Sequence, residues 1–237
     1  MWALWLVEGR RPRVPAMDWQ TWHAQYDRPG SYMAQRLEAV RTQIGTSLDS
    51  SPPGPLRVVS LCAGQGRDLL PVLADHPRRD DVRALLVELD PRNAAYAEKT
   101  ARSAGLDQTK VVRGDASLTD VYRGMVPADL VLVCGVFGNI SDEDIERTVD
   151  SCARLCRTGG TVVWTRHRGA PDRVPLICEW FETRGFARQW LSDPAAEFGV
   201  GTHRFMGETQ PLVPGMSMFT FTGYDTLRRS SAATDDA

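Results

Sequence analysis

The fold of this chain is decided by the stretch VVSLCAGQGRDLL, which spans Val58–Leu70. Its apolar start predicts a buried strand, Leu56–Cys62, and its end predicts a helix, Gly66–Ala74. Gly64 and Gly66 lie in the turn between them, where glycine lets the backbone approach a ligand closely. The start of a helix also offers free N–H groups to a ligand. Taken alone, the loop could also be a tight strand-to-helix turn without any ligand.

Beyond this stretch, short apolar runs alternate with amphipathic segments. Near-continuous apolar strands between helices are typical of a parallel sheet that is covered on both faces. We therefore expect an α/β fold: a three-layer α/β/α sandwich around a mostly parallel seven-stranded sheet with an antiparallel late strand, plus N-terminal helices. The later strands and β segments are predicted at Val82–Glu88, Lys110–Arg113, Ala128–Cys134, Thr161–Thr165, Phe186–Leu191, Phe198–Phe205 and Met218–Thr222.

The ends of the chain differ in character from its middle. Trp2–Val7 contains only six apolar residues, which is too few for a spanning helix or the core of a signal peptide. A helix is predicted from Tyr32 to Ser47 with Ser31 as its cap, and a linker rich in proline and serine follows it. These features predict a mobile extension at 1–16, an N-terminal helical cap at 17–50, a main domain at 56–224 and a disordered tail at 225–237. The expected location is the cytoplasm.

Charge and cysteine content narrow the possible partners. The net charge of −2 gives no overall attraction to nucleic acid or to an anionic membrane, so neither is an expected partner. The five cysteines are an odd number in a long chain, which argues against a disulfide framework. Cys152 and Cys156 are four residues apart on a predicted helix, but no histidine lies near them to complete a metal site. We expect them to be small core residues and expect no metal.

Acidic and small residues follow the next strands. Glu88 closes the second strand, where a carboxylate can accept hydrogen bonds from both hydroxyls of a ribose. Asp115 and Ala116 follow the third strand, where an acid beside a small residue can accept from an adenine amino group and leave room for the ring. Glu88 could instead cap a helix or lie in solvent, and Asp115 could simply belong to a turn. Asp90, just before a proline, is the expected cap of the next helix.

The order and spacing of these signals resemble the class I, Rossmann-like S-adenosylmethionine-dependent methyltransferases over roughly residues 56–205. This resemblance implies that S-adenosylmethionine is the cofactor. It further implies that Glu88 holds the ribose and that Leu89 packs on the adenine. The other cofactor residues implied are Ala63, Gly64 and Gly66 at the methionine part, Asp115 and Ala116 at the adenine edge, and Cys134 and Gly135 beside the transferable methyl. The stretches Cys62–Asp68 and Asp129–Ser141 also resemble an uncharacterised actinobacterial-type subgroup of this class. That resemblance does not imply any particular substrate.

Two positions depart from the family pattern. Ser60 stands where the family usually has an acid, and Cys62 stands where it has the first of three glycines. Both replacements are small, so the cofactor still fits, but its amino group loses one expected carboxylate. Asp68 or a residue of the N-terminal helices is the expected replacement.

The residues that bind the methyl acceptor are harder to predict from the sequence. Methyl transfer needs mainly alignment and the exclusion of water, so no particular side chain is required. His167 follows the fifth strand and is the expected general base, since imidazole titrates near neutrality. Asn139 is the second residue predicted to act in catalysis, and a surface-loop histidine is the alternative for His167. The residues predicted to contact the acceptor or to form a lid are Tyr26, Tyr32, Phe137 and Arg166, with His23, Arg168 and His203 as further candidates.

Three functions stay open. A methyltransferase acting on a small molecule is the first, since no Asn/Asp-Pro-Pro-aromatic motif follows the fourth strand and no Pro-Cys or Thr-Cys pair includes Cys134. The second is a methyltransferase acting on protein or RNA, and the third is a protein of this fold with other chemistry or without turnover. A nicotinamide dehydrogenase would need glycine at Leu69. The sequence does not assign an oligomeric state.

Overall fold

The computed structural model describes Tyr26, Arg28 and residues 30–223. The predictions of a mobile extension at 1–16 and a disordered tail at 225–237 concern residues outside this description, as does His23. Within the described residues, no helix is both long and apolar enough to cross a membrane.

Seven strands form one sheet in the order β3-β2-β1-β4-β5-β7-β6. β1 pairs in parallel with β2 and β4, whereas β7 is antiparallel to both β5 and β6. The predicted three-layer Rossmann-like sandwich with an antiparallel late strand is therefore confirmed. The strands are β1 (Leu56–Ser60), β2 (Val82–Glu88), β3 (Thr109–Arg113), β4 (Ala128–Val133), β5 (Cys156–His167), β6 (Phe186–Leu191) and β7 (Phe198–Phe205).

Helices cover the sheet and begin where the sequence supplies caps. The side chains of Ser31, Asp90 and Ser141 each accept a hydrogen bond from a backbone N–H in the first helical turn that follows, which satisfies N–H groups that have no helical partner. The helices are α1 (Tyr32–Asp49), α2 (Leu70–Asp75), α3 (Pro91–Ser103), α4 (Asp142–Leu155) and α5 (Val174–Thr183).

The core lies on both faces of the sheet because side chains alternate along each strand. On one face, Val58 packs with Val40, Ile44 and Leu48 of α1, so α1 shares a core with the sheet. On the other face, Val59 packs in a cluster that includes Cys152 and Cys156. Both cysteines are fully buried there, as expected of core residues.

Helix α2 begins later than predicted. The sequence places its start at Gly66, but the structure places it at Leu70. Gly66 has a φ of +67°, which is left-handed backbone and incompatible with a right-handed helix. The loop therefore continues for three more residues after Gly66 before the helix forms.

The predicted β segment Met218–Thr222 is not a strand. Residues 206–223, which we call the C-terminal strap, run along the sheet face that carries α4 and form only one isolated bridge, between Leu118 and Ser217. The strap is held instead at single points, such as Met218 N–H to the Ser117 carbonyl at 2.8 Å and Thr220 N–H to the Asp144 carboxylate at 2.7 Å. Local alternation predicted a strand, but no neighbouring strand lies beside the strap to pair with it.

Candidate active site

A cavity of about 480 Å³ opens at the carboxyl ends of β1, β2 and β4. The strand order reverses between β1 and β4, and such switch points are where sheets of this kind bind ligands. The volume lies within the range of ligand pockets, roughly 300–1,000 Å³. The cavity is therefore the candidate active site.

The loop after β1 is tied to both neighbouring strands. Leu61 N–H donates to the Leu132 carbonyl at 3.0 Å, and Ala63 N–H donates to the Val87 carbonyl at 2.9 Å. Cys62 lies between these anchors with a φ of +49°, a left-handed conformation that favours glycine. This geometry explains why glycine is the family residue at this position. In this chain the two anchors hold a cysteine in that conformation.

Ala63 and Gly64 line the cavity, but Gly66 does not. A Cβ atom at Gly66 would lie 2.7 Å from Leu70 Cδ1 and 3.0 Å from Leu86 Cδ2. Glycine is needed there because the turn packs tightly against α2 and β2. This packing accounts for glycine at the position, and contact of Gly66 with the methionine part of the cofactor stays a prediction.

The carboxylate of Glu88 in the cavity wall is held through both of its oxygens. Its Oε2 accepts from Gly64 N–H and its Oε1 accepts from Asp90 N–H, both at 2.7 Å. Burial raises the pKa of this carboxyl, while the two backbone N–H groups oppose the rise. Each oxygen keeps a further lone pair for a ligand hydroxyl. The loop after β1 and the end of β2 therefore hold the Glu88 carboxylate, the group predicted to accept hydrogen bonds from a ribose.

Leu89, Asp115 and Ala116 form the wall next to Glu88. Leu89 is 66% exposed although it is a large apolar residue, which leaves its side chain available to a ligand ring. Asp115 is exposed, and its Oδ1 accepts from Ser117 N–H at 2.9 Å. Ala116 is small and buried. All three therefore lie in the cavity wall, and their contacts with adenine stay predictions.

The end of β4 forms the opposite wall, with Cys134, Gly135 and Asn139. Gly135 N–H donates to Thr165 Oγ1 at 2.8 Å, and Asn139 Nδ2 donates to the Gly135 carbonyl at 2.8 Å. Burial and the nearby Asp68 carboxylate raise the pKa of the Cys134 thiol well above its usual value. The thiol is therefore protonated at neutral pH. The hydrogen bond from Asn139 to Gly135 shows that Asn139 helps to position the loop.

A cluster of charged side chains lies near Cys134 at the end of β4. The sequence predicted only some of its members. Arg36 of α1 and Asp68 both line the cavity, as does Tyr26. Arg36 Nη2 donates to the Tyr26 hydroxyl at 2.6 Å, and Asp68 Oδ1 accepts from Leu69 N–H at 2.8 Å. The sequence predicted a role for Asp68, because Ser60 stands where the family usually has an acid. Arg36 was missed because a single arginine on an amphipathic helix looks like a solvated residue.

Phe219 and Phe221 of the C-terminal strap also line the cavity. Phe219 is 3% exposed and Phe221 is 41% exposed, so Phe221 lies at the rim. No pattern in the sequence connects these residues with β4, which lies about 90 positions earlier in the chain. Their place in the site emerges only from the path of the strap.

Two aromatic residues predicted to contact the acceptor pack elsewhere. Phe137 is fully buried, with its ring 6.0 Å from that of Trp164 and 6.4 Å from that of Phe181. Tyr32 packs edge-on against Phe198 at 5.7 Å. Neither lines the cavity: Phe137 faces the core, and Tyr32 packs between α1 and the sheet. Their contact with the acceptor stays a prediction.

Arg166 and His167 also lie outside the cavity wall. β4 ends with Val133 opposite Trp164, so His167 lies three residues beyond that pair, roughly 10 Å along the strand. Arg166 Nη1 lies 2.6 Å from His167 Nε2. Both side chains lie beside Gly138 of the loop after β4, and their roles as general base and as acceptor contact stay predictions.

His203 is a core residue. It is fully buried, and its Nδ1 accepts from the Trp164 indole N–H at 3.0 Å. Burial lowers its pKa to about 3. It is therefore neutral at physiological pH and does not contact the cavity.

Comparison with known proteins agrees with this geometry. Residues 58–160 match the sequence profile of a methyltransferase domain. No curated protein matches the chain in sequence. Taken together, the fold, the site and this match indicate a methyltransferase domain with a Rossmann-like fold over that part of the chain. S-adenosylmethionine is the cofactor of this domain.

Solved structures give the same fold. Magnesium protoporphyrin IX methyltransferase from Synechocystis PCC 6803 with bound S-adenosylmethionine is 11% identical, with a TM-score of 0.62 over 80% of this chain and 92% of that chain. An O-methyltransferase family protein from Burkholderia thailandensis is 16% identical, with a TM-score of 0.59 over 82% of this chain and 61% of that chain. Precorrin-6y C5,15-methyltransferase from Geobacter metallireducens is 14% identical, with a TM-score of 0.53 over 71% and 88%. At such low identity these likenesses establish the fold alone.

Proposed function

We propose that this protein transfers a methyl group from S-adenosylmethionine to a small-molecule acceptor. The observation that carries the proposal is the carboxylate of Glu88, which is held by Gly64 and Asp90 N–H groups at the edge of a cavity at the switch point of the sheet. A carboxylate held in this way at the end of β2 can accept hydrogen bonds from the two hydroxyls of a ribose.

The residues around Glu88 suit the adenosine half of the cofactor. Leu89 offers an exposed apolar surface to the adenine ring, and Asp115 offers a carboxylate to its amino group. Ala116 is small enough to let the ring approach. These roles agree with the family resemblance residue by residue.

Arg36 and Asp68 suit the amino-acid tail. In this proposal the guanidinium of Arg36 binds the α-carboxylate and the carboxylate of Asp68 binds the α-ammonium. Both side chains line the cavity and interact electrostatically with each other, and charge-assisted hydrogen bonds are the stronger class of hydrogen bond. Asp68 thereby supplies the charge that Ser60 lacks, eight positions further along the chain.

Methyl transfer requires little chemistry from the protein. The bound cofactor supplies a methyl carbon activated by a positively charged sulfur. A lone pair of the acceptor forms the new bond to that carbon while the carbon–sulfur bond breaks, its electron pair stays on sulfur, and any proton on the acceptor passes to water. Gly135 and Asn139 hold the β4 loop at this end, and Phe219 excludes water from the strap side. Alignment and exclusion of water are the main sources of rate here.

A small acceptor is favoured over a macromolecule because the cavity is lined from several elements, including the strap and Tyr26, rather than open along a groove. Two of the solved neighbours are named for small-molecule substrates, a magnesium protoporphyrin and a precorrin. Action on protein or RNA, and binding without turnover, are the alternatives. Membership of the actinobacterial-type subgroup stays a prediction.

Transfer of label from S-adenosyl-[methyl-³H]methionine tests this function. The protein is incubated with the labelled cofactor and with an extract of the cells that produce it, and products are separated into small molecules, protein and nucleic acid. We expect label in the small-molecule fraction, and much less label with Glu88→Ala at a cofactor concentration near the dissociation constant of the unaltered protein. Label in protein or RNA would favour the second function, and no transfer to any fraction would favour binding without turnover.

A further inference from the structure

The C-terminal strap brings aromatic side chains to the cavity from one side of the sheet. Phe219 and Phe221 lie two residues apart on it, and both line the cavity. Met218, which comes just before them, is buried in the core on the face that carries α4. The strap is therefore anchored by its own core contact, and its aromatic pair follows directly at the ligand edge.

Asn139 joins the strap to the loop at the end of β4. Its backbone carbonyl accepts from Thr222 N–H at 2.9 Å and from Gly223 N–H at 3.0 Å. Its side chain donates to the carbonyl of Gly135, which is the residue proposed to lie beside the transferable methyl. Phe221 immediately precedes this double hydrogen bond. The backbone that carries Phe221 is therefore held beside the loop at the end of β4, and the side chain lines the cavity.

Tyr26 lines the cavity from the opposite side. It precedes α1, which packs on the other face of the sheet, and its hydroxyl is held by Arg36. The guanidinium carbon of Arg67 also lies 6.0 Å from the centre of its ring. Tyr26 and Phe221 thus present aromatic groups to one cavity from two separately anchored segments.

We propose that the methyl acceptor is a small planar aromatic molecule whose ring packs between Phe221 and Tyr26, with its nucleophilic atom directed toward Gly135. Aromatic rings favour offset or edge-to-face contacts with ring centres about 4.5–7 Å apart, and these contacts select a flat ring over a puckered one of equal size. Phe221 is then a specificity-determining residue. The inference rests on the proposed function and adds the chemical class of its substrate.

The test compares flat and saturated compounds on the full-length protein. The protein is saturated with S-adenosylhomocysteine, and calorimetry then measures binding of 2-naphthol against decahydro-2-naphthol and of phenol against cyclohexanol. We expect the aromatic member of each pair to bind at least fivefold more tightly. Phe221→Leu keeps an apolar side chain but removes the ring, so the preference should fall below twofold, whereas Phe221→Tyr should retain it.

Tyr96→Leu is the matched control, because Tyr96 is an exposed aromatic residue on α3 outside the cavity wall. This variant should keep the full preference. Equal binding of the paired compounds, no binding of any compound, or a preference that survives in Phe221→Leu would overturn the inference. Affinity for S-adenosylhomocysteine is measured first in each variant: if the unaltered protein does not bind it, the proposed function fails, and if it binds but shows no aromatic preference, only this inference fails.

Discussion

Replacing Glu88 by alanine is expected to weaken binding of S-adenosylmethionine roughly 10- to 150-fold, since a hydrogen bond to a charged group contributes about 1.5–3 kcal/mol. The structure adds a reason beyond the lost ribose contact. The carboxylate also holds Gly64 and Asp90, so its removal leaves two backbone N–H groups without their acceptor and loosens the loop. Isothermal calorimetry with the cofactor measures the effect.

Glu98→Ala is the control for this prediction, because Glu98 is an exposed acid on α3 that does not line the cavity. It should bind the cofactor like the unaltered protein. Thermal denaturation of both variants separates a binding defect from a folding defect. Near-normal affinity in a folded Glu88→Ala protein would assign Glu88 to the loop alone.

The raised pKa of Glu88 gives this residue a distinctive pH dependence. Since burial raises the pKa above its unfolded value, the folded state binds this proton more tightly. Its contribution to stability is therefore present at low pH and is lost as pH rises through the raised pKa. Cofactor affinity should change in the opposite direction, because the ionised carboxylate is the better acceptor for ribose hydroxyls. Glu88→Gln removes both dependences.

Asp68→Asn is expected to weaken binding of S-adenosylmethionine and S-adenosylhomocysteine roughly tenfold, the difference between a charge-assisted and a neutral hydrogen bond. The substitution keeps the shape of the side chain, including an oxygen that can accept from Leu69 N–H. Binding of 5′-methylthioadenosine, which lacks the amino-acid tail, should not change. Calorimetry with the three ligands separates the two ends of the cavity.

Asp115→Asn provides the matched comparison at the adenosine end. Because the adenosine group is common to all three ligands, this variant should weaken all of them. An equal loss of 5′-methylthioadenosine binding in Asp68→Asn would show that Asp68 acts on the loop or on the adenosine half, and the assignment to the amino-acid tail would be wrong.

The layered fold could be predicted because it follows from local patterns. Apolar runs that end in Glu88 and Cys134, with capped helices after Asp90 and Ser141, already determine alternating strands and helices. The start of α2 could not be predicted as well, since it depends on the left-handed turn at Gly66, whose cause is contact with Leu70 and Leu86. That contact is tertiary and has no local signature.

The residues of the candidate site likewise fall into those that the sequence could predict and those that it could not. Glu88, Asp115 and Gly135 follow strands directly, so the parallel sheet itself brings them to one edge. Phe221 reaches that edge through the path of the strap. His167 lies beside Gly138 of the loop after β4, because β5 continues past the end of β4. The length of a strand beyond its partner is set by packing and cannot be inferred from the residues alone.

The most direct test of the central claim is calorimetry of the unaltered protein with S-adenosylmethionine, S-adenosylhomocysteine and NAD. We predict micromolar binding of the first two, about −8 kcal/mol, and no binding of NAD, because the buried Leu69 stands where a dinucleotide loop needs glycine. Binding of NAD without binding of S-adenosylmethionine would contradict the account.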